Sequence, residues 1–133
     1  NIHYSNMHKV YPKSWWKNIS EDKLTKKWEN YDKNINKYKV YCGSTLEAWE
    51  EKKWITSYHP YGWMQWYCDF YKGNRCPDDE RQIKRWLNTA GPNSRFRKAL
   101  INKIKKKKTT YDDYTVSPRI RQTLQHWAVC IDK

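Results

Sequence analysis

From residue 44 onward the apolar positions recur at helical spacing and are separated by recognisable caps and stops. Ser44-Thr45-Leu46-Glu47 has the spacing of a capping box and predicts a short helix over about 44–53. Trp63, Trp66, Tyr67 and Phe70 stand at i, i+3, i+4 and i+7 between Pro60 and Gly73, an amphipathic helix with Gly73 as its C′ stop. Pro77 at a first helical position, followed by Asp78, Asp79 and Glu80 in the positive first turn, opens a third helix. It is expected to carry Ile83, Trp86, Leu87 and Ala90 inward until Gly91-Pro92 ends it. Asn93 or Ser94 then caps a helix whose stripe of Phe96, Leu100 and Ile104 runs into lysines. Ser117-Pro118 starts the last, with Ile120, Leu124, Trp127 and Ile131 on one side.

Before residue 44 the pattern is weaker. Ser20-Glu21-Asp22 predicts a short helix reaching Trp28, and Lys37 to Cys42 alternates with period two, as a strand or an extended arm would. A single strand makes no sheet. The expected fold is therefore mainly α, one compact domain of four to six helices. Residues 1–43 form an irregular Trp-rich N-terminal segment in this reading, and 44–133 the helical core. No apolar run is long enough to cross a bilayer, so no membrane partner is expected.

Composition changes one part of this picture. The 133 residues hold only nine Ile, five Leu and four Val, a content that by itself would suggest disorder. Nine Trp, eleven Tyr and two Phe reverse that inference, because each ring buries roughly 150–250 Å². Twenty of these rings carry an N–H or O–H, so the interior should be laced with hydrogen bonds to ring edges.

Charge then directs attention to the second half. The chain has 27 Lys and Arg against 14 acids, net +13, and all seven Arg follow residue 60. Arg is preferred where planar contacts to phosphate or bases are made. Two segments match loosely: Arg81-Gln82-Ile83-Lys84-Arg85-Trp86 and Arg121-Gln122-Thr123-Leu124-Gln125-His126-Trp127. In each, Arg and Gln can project from one helix face while Trp anchors the other. The sharper reading makes Arg81, Gln82, Arg85, Arg119, Arg121, Gln122 and Gln125 a recognition surface, since Arg and Gln pair bidentately with guanine and adenine edges or with phosphate. The plain alternative is two amphipathic helices with solvated polar faces. From Arg95 to Lys108 the chain gains Arg95, Arg97, Lys98, Lys103, Lys105, Lys106, Lys107 and Lys108 with no acid between them. Such a helix suits phosphate backbones and salt-dependent binding; a solubilising segment or an import signal would look the same.

Other chemistry is less favoured. The rings of Trp63, Trp66, Tyr67, Phe70 and Tyr71 could stack on unpaired bases, but their spacing assigns them to the core, with Tyr61 and Tyr71 nearer the polar edge. Asp78, Asp79, Asp112, Asp113 and His126 are the candidates for acid–base or Mg²⁺ chemistry. The helix dipole and the neighbouring lysines explain these carboxylates better, and no catalytic residue is assigned. Cys42, Cys68, Cys76 and Cys130 are widely spaced, so free thiols in a reducing compartment are expected, with no disulfide, no metal and no cofactor.

Pro60-Tyr-Gly-Trp-Met-Gln-Trp-Tyr-Cys68, Asp78-Asp-Glu-Arg-Gln-Ile-Lys-Arg-Trp86 and Ser117-Pro-Arg-Ile-Arg-Gln-Thr-Leu-Gln-His-Trp127 together resemble a Trp-rich family of proteins from protists, algae and large DNA viruses. The resemblance extends back through Tyr11-Pro-Lys-Ser-Trp15 and through Lys37-Tyr-Lys-Val40 to Cys42-Gly43, so it covers most of the chain. It departs at Asn74, at Asn93-Ser94 and at Ala128. It implies one intact domain and brings no activity with it.

Charge and side-chain type thus point first to a non-enzymatic nucleic-acid-binding domain, DNA or RNA, in the nucleus or a nucleoprotein particle. A structural subunit of a ribonucleoprotein, an enzyme acting on nucleic acid through Asp and His, and a binder of an acidic protein are the alternatives.

Overall fold

The computed structural model describes residues 4–131. The fold is mainly α. Five α-helices follow in order: α1 (Leu46–Glu51), α2 (Trp63–Tyr71), α3 (Asp79–Ala90), α4 (Arg95–Lys107) and α5 (Pro118–His126). Five 3₁₀ segments precede them, at Tyr4–Val10, Lys13–Trp15, Glu21–Lys23, Trp28–Asn30 and Lys33–Ile35. Among the described residues no strand forms; one isolated bridge joins Thr56 to His59.

The chain divides into two compact units, and the division does not fall at residue 43. The first contains residues through Asn36 together with Ser44–Arg75; the second contains Lys37–Gly43 and Cys76–Lys133. Side-chain chemistry explains the reassignment. The N-terminal aromatics find their partners on α2, and the short segment 37–43 finds its own on and after α5.

In the first unit the core is Met7, Tyr11, Tyr61 and Cys68, with Trp15, Trp16 and Met64 packed against it. Tyr11 stacks on Trp15 at 5.6 Å, while its hydroxyl donates to Asp69 Oδ1 at 3.1 Å and to the Gln65 carbonyl at 3.2 Å. Trp16 Nε1 donates to the His8 carbonyl at 2.9 Å. These are the ring-edge bonds that the composition predicts. Burial, reinforced by the Asp69 carboxylate, pushes the Tyr11 hydroxyl up so that it stays a donor, and burial lifts the Cys68 thiol to about 11. Tyr61, expected at the polar edge, is instead buried, its backbone N–H held by Gln65 Oε1 at 2.9 Å. Tyr71 does lie at the edge, 74% exposed.

α1 is capped by Thr45, whose hydroxyl accepts from the Ala48 N–H at 3.3 Å, one residue later than the capping box predicts. α2 starts at Gly62 with φ 85°, and a Cβ there would stand 3.2 Å from Ile55 and 3.4 Å from the Trp49 ring. Glycine is required for conformation and for space. The expected helix from Ser20 to Trp28 is two separate 3₁₀ turns, Glu21–Lys23 and Trp28–Asn30.

The second unit packs α3, α4 and α5 around Ala90, Leu100, Ile104, Val116, Leu124 and Ile131. Ser94 caps α4 by accepting from the Arg97 N–H at 3.2 Å, and Lys108 closes it in the left-handed conformation. Leu100 and Ile104 point inward as predicted. α3 is rotated from expectation: Ile83 and Leu87 are 39% and 49% exposed, and the buried line runs Gln82, Trp86, Ala90. The anticipated strand at 37–42 is broken by Lys39 at φ 53°. That segment is held by side chains instead: Tyr38 edge-on to Tyr114, its hydroxyl 3.6 Å from Cys130 Sγ, and Cys42 Sγ 2.8 Å from Thr123 Oγ1.

Candidate functional site

Within the second unit the residues expected to form one recognition surface separate into three groups. Arg121 is the clearest departure. It is 2% exposed, and its guanidinium donates to three carbonyls: Val116 at 2.9 Å, Ile131 at 3.0 Å and Asp113 at 3.1 Å. Those carbonyls belong to the loop before α5 and to the segment after it. A planar group with five N–H donors suits such a staple, and no donor is left facing solvent for a phosphate or a base. The packing reason is its place one residue after Ile120 and three before Leu124, on the buried side of α5.

Gln82 and Gln122 are likewise interior, at 0% and 3% exposure. Gln82 Oε1 accepts from Arg85 Nη1 at 3.0 Å, and Gln122 Nε2 lies 3.0 Å from His126 Nε2. Neither amide can reach a base edge. Arg81 is tied to the buried Asp78 carboxylate through Nε at 2.5 Å and Nη2 at 2.7 Å, and that bond raises its already high pKa. Arg85 is half-buried and sits 5.4 Å over the Trp127 ring; burial, then the neighbouring Arg81, lowers its pKa. Trp86 Nε1 donates to the Trp127 carbonyl at 2.9 Å, so both rings, half-buried, serve the packing of the second unit; Trp63 and Trp66 are buried in the first unit.

The third group is the outer side of α4. Leu100 and Ile104 define its buried side, and at 100° per residue Arg95, Lys98, Lys105 and Lys106 fall opposite them. All four are exposed, as are Lys103 and Lys108. Among the described residues none of these six lies within ion-pair distance of a carboxylate, in contrast to the pairs His59–Asp69, Arg81–Asp78, Lys84–Glu80 and Lys107–Asp113. Arg97 and Lys107 depart from the expected surface. Arg97 is half-buried with Nη1 3.5 Å from the Ala90 carbonyl. Lys107 turns back to Asp113 at 3.2 Å and Thr115 at 2.7 Å. On α5, Arg119 and Gln125 remain exposed.

The proposed acid–base residues are each engaged locally. Asp78 holds Arg81; Asp79 accepts from the Cys76 N–H at 3.0 Å and its thiol at 3.3 Å; Thr110 donates to Asp112. Asp113 accepts from Thr115, Lys107 and Thr109, which hold its carboxyl well below the usual range. Among the described residues no three His, Cys, Asp or Glu side chains are placed to hold a metal ion, and no helix is long and apolar enough to cross a membrane. The four cysteines are free thiols.

The signal for the buried polar residues was present in the register. Gln82 stands four before Trp86 and eight before Ala90, one line on a helix. No family model, no curated protein and no solved structure matches the chain.

Proposed function

We propose that this protein binds nucleic acid without catalysing a reaction, through phosphate contacts made by Arg95, Lys98, Lys105 and Lys106 on the outer side of α4, extended by Lys103 and Lys108. The observation that carries this reading is a six-cation surface with no carboxylate partner among the described residues. α3 offers the contrast, since its exposed Lys84 is paired with Glu80 at 2.6 Å. Stability alone does not favour this surface. Arg95, Arg97 and Lys98 stand at the positive end of the α4 dipole, where no acid occupies the first turn, and cations there are disfavoured. The second unit concentrates the effect, with 16 Lys and Arg against six acids, net +10.

Because Gln82, Gln122 and Arg121 are interior, sequence reading by those side chains drops out of the proposal, and binding should tolerate sequence. Such a backbone binder fits a nucleoprotein setting. Charge reversal of Lys105 and Lys106 to Glu, with folding checked by circular dichroism, tests it on single- and double-stranded DNA and RNA. The expected result is a loss of affinity and a flatter salt dependence, each lost contact removing about 0.7–0.9 from the slope of log K against log salt. Unchanged affinity for every nucleic acid would overturn the proposal, and retained capture of an acidic polypeptide by the parent protein would then identify a protein partner.

A further inference from the structure

A cleft of about 440 Å³ opens in the first unit among the 3₁₀ segments Tyr4–Val10, Glu21–Lys23 and Trp28–Asn30. Lys9, Lys26 and Lys27 line it beside the His8 imidazole, against one carboxylate, Glu21. None of the three lysines is within ion-pair distance of a carboxylate among the described residues. Three lysines line one opening against a single lining carboxylate, so the cleft carries a surplus of positive charge that a compact dianion would neutralise. Lys is a point-charge binder of phosphate.

The imidazole is held in place. His8 Nδ1 lies 2.7 Å from Thr25 Oγ1, and the Trp16 ring packs edge-on against His8 at 6.3 Å. One ring nitrogen, Nε2, is thereby left as the imidazole's remaining polar atom. The volume falls within the roughly 300–1,000 Å³ of small-molecule clefts and exceeds what a bare phosphate needs. Leu24 supplies an apolar wall, and the Asn30 amide supplies both a donor and an acceptor for a heterocycle edge.

We propose that this cleft binds a phosphomonoester carrying a heterocyclic body, either a free nucleoside monophosphate or the 5′-phosphate end of a strand. Lys9, Lys26 and Lys27 hold the phosphate, and Glu21 limits the total negative charge that can enter. The proposal stands apart from the α4 surface, because its residues belong to the first unit.

Calorimetric titration of the intact protein at low salt tests it with adenosine monophosphate, adenosine, inorganic phosphate and an oligonucleotide with or without a 5′-phosphate. Adenosine monophosphate is expected to bind at least tenfold more tightly than adenosine, and Lys26→Ala with Lys27→Ala to remove about tenfold or more of that affinity. Both side chains are exposed, so the fold should persist by circular dichroism. Glu21→Gln is expected to strengthen binding, whereas Lys17→Ala, exposed but outside the cleft, should leave it unchanged. Tighter binding of the 5′-phosphorylated oligonucleotide than of its 5′-hydroxyl twin, retained when Lys105 and Lys106 are reversed, would assign the strand end as the source; equal binding of the two would assign the free nucleotide. Equal affinity for adenosine and its monophosphate, weaker binding by Glu21→Gln, as large a loss from Lys17→Ala, or no binding of any probe would overturn the proposal.

Discussion

The two units solve the same problem, a chain poor in aliphatic residues, in different ways. The first holds 15 of the 22 aromatic rings and seven of the 18 Ile, Leu and Val; the second holds seven rings and eleven aliphatics. Where rings predominate, regular structure is short: five 3₁₀ segments, a six-residue α1 and a nine-residue α2. A Tyr or Trp going inside brings an O–H or N–H that needs a partner, so segments settle where carbonyls and carboxylates meet the ring edges. Where aliphatics predominate, periodic stripes build helices of 12, 13 and 9 residues, and one buried guanidinium closes the loop and tail around them. The difference teaches that the first unit partners its ring edges one at a time, while in the second a single guanidinium, Arg121, ties three distant carbonyls together.

That contrast can be broken, most directly at Arg121. Arg121→Met should cost about 3–5 kcal/mol in urea unfolding followed by circular dichroism, because three carbonyls, two of them in buried bonds, lose their donor at once. Arg121→Lys should recover only part of it, since one ammonium cannot span carbonyls from residues 113, 116 and 131. In the first unit, Tyr11→Phe should cost less, about 1–2 kcal/mol, by losing the bonds to Asp69 and Gln65 while keeping the stack on Trp15. A Tyr11→Phe loss equal to that of Arg121→Met would end the distinction between ring edges partnered one at a time and carbonyls tied by one guanidinium. The smallest effect is expected at Asp113, where the loop after α4 is held from outside. Its carboxyl titrates below the unfolded value, so its contribution is present above about pH 4 and is lost as pH falls through the acid range. Asp113→Asn should flatten the acid limb of the stability profile and leave the Tyr11→Phe difference untouched; an unchanged acid limb would show that the loop draws nothing from this network.

Local pattern was enough for much of this. The apolar spacing of α4 and α5, that of α2 apart from Tyr67, which is 40% exposed, Gly73 beyond the end of α2 and Ser94 at the start of α4 were all legible, because a cap or a stripe acts within a turn or two of chain. The demand for partnered ring edges, met at Tyr11, Trp16 and Trp86, was legible too, since it follows from side-chain chemistry. The α4 lysine run could be read as exposed cation, though Lys107 and Arg97 could not be subtracted from it without knowing where Asp113 and the Ala90 carbonyl lie.

Arg121, Gln82 and Gln122 read as surface residues for a related reason, though they are interior. A polar side chain on a helix reads as solvent-facing unless its distant partners are known, and the partners of Arg121 come from residues five, eight and ten positions away. The same holds for the unit boundary: Tyr11 meets Gln65 and Asp69 across more than fifty residues, and Cys42 meets Thr123 across 81. Periodicity carries the helices because their hydrogen bonds are local, whereas burial of a charge, the rotation of α3 about its axis and the assignment of 37–43 to the second unit depend on contacts that exist only once the chain has folded.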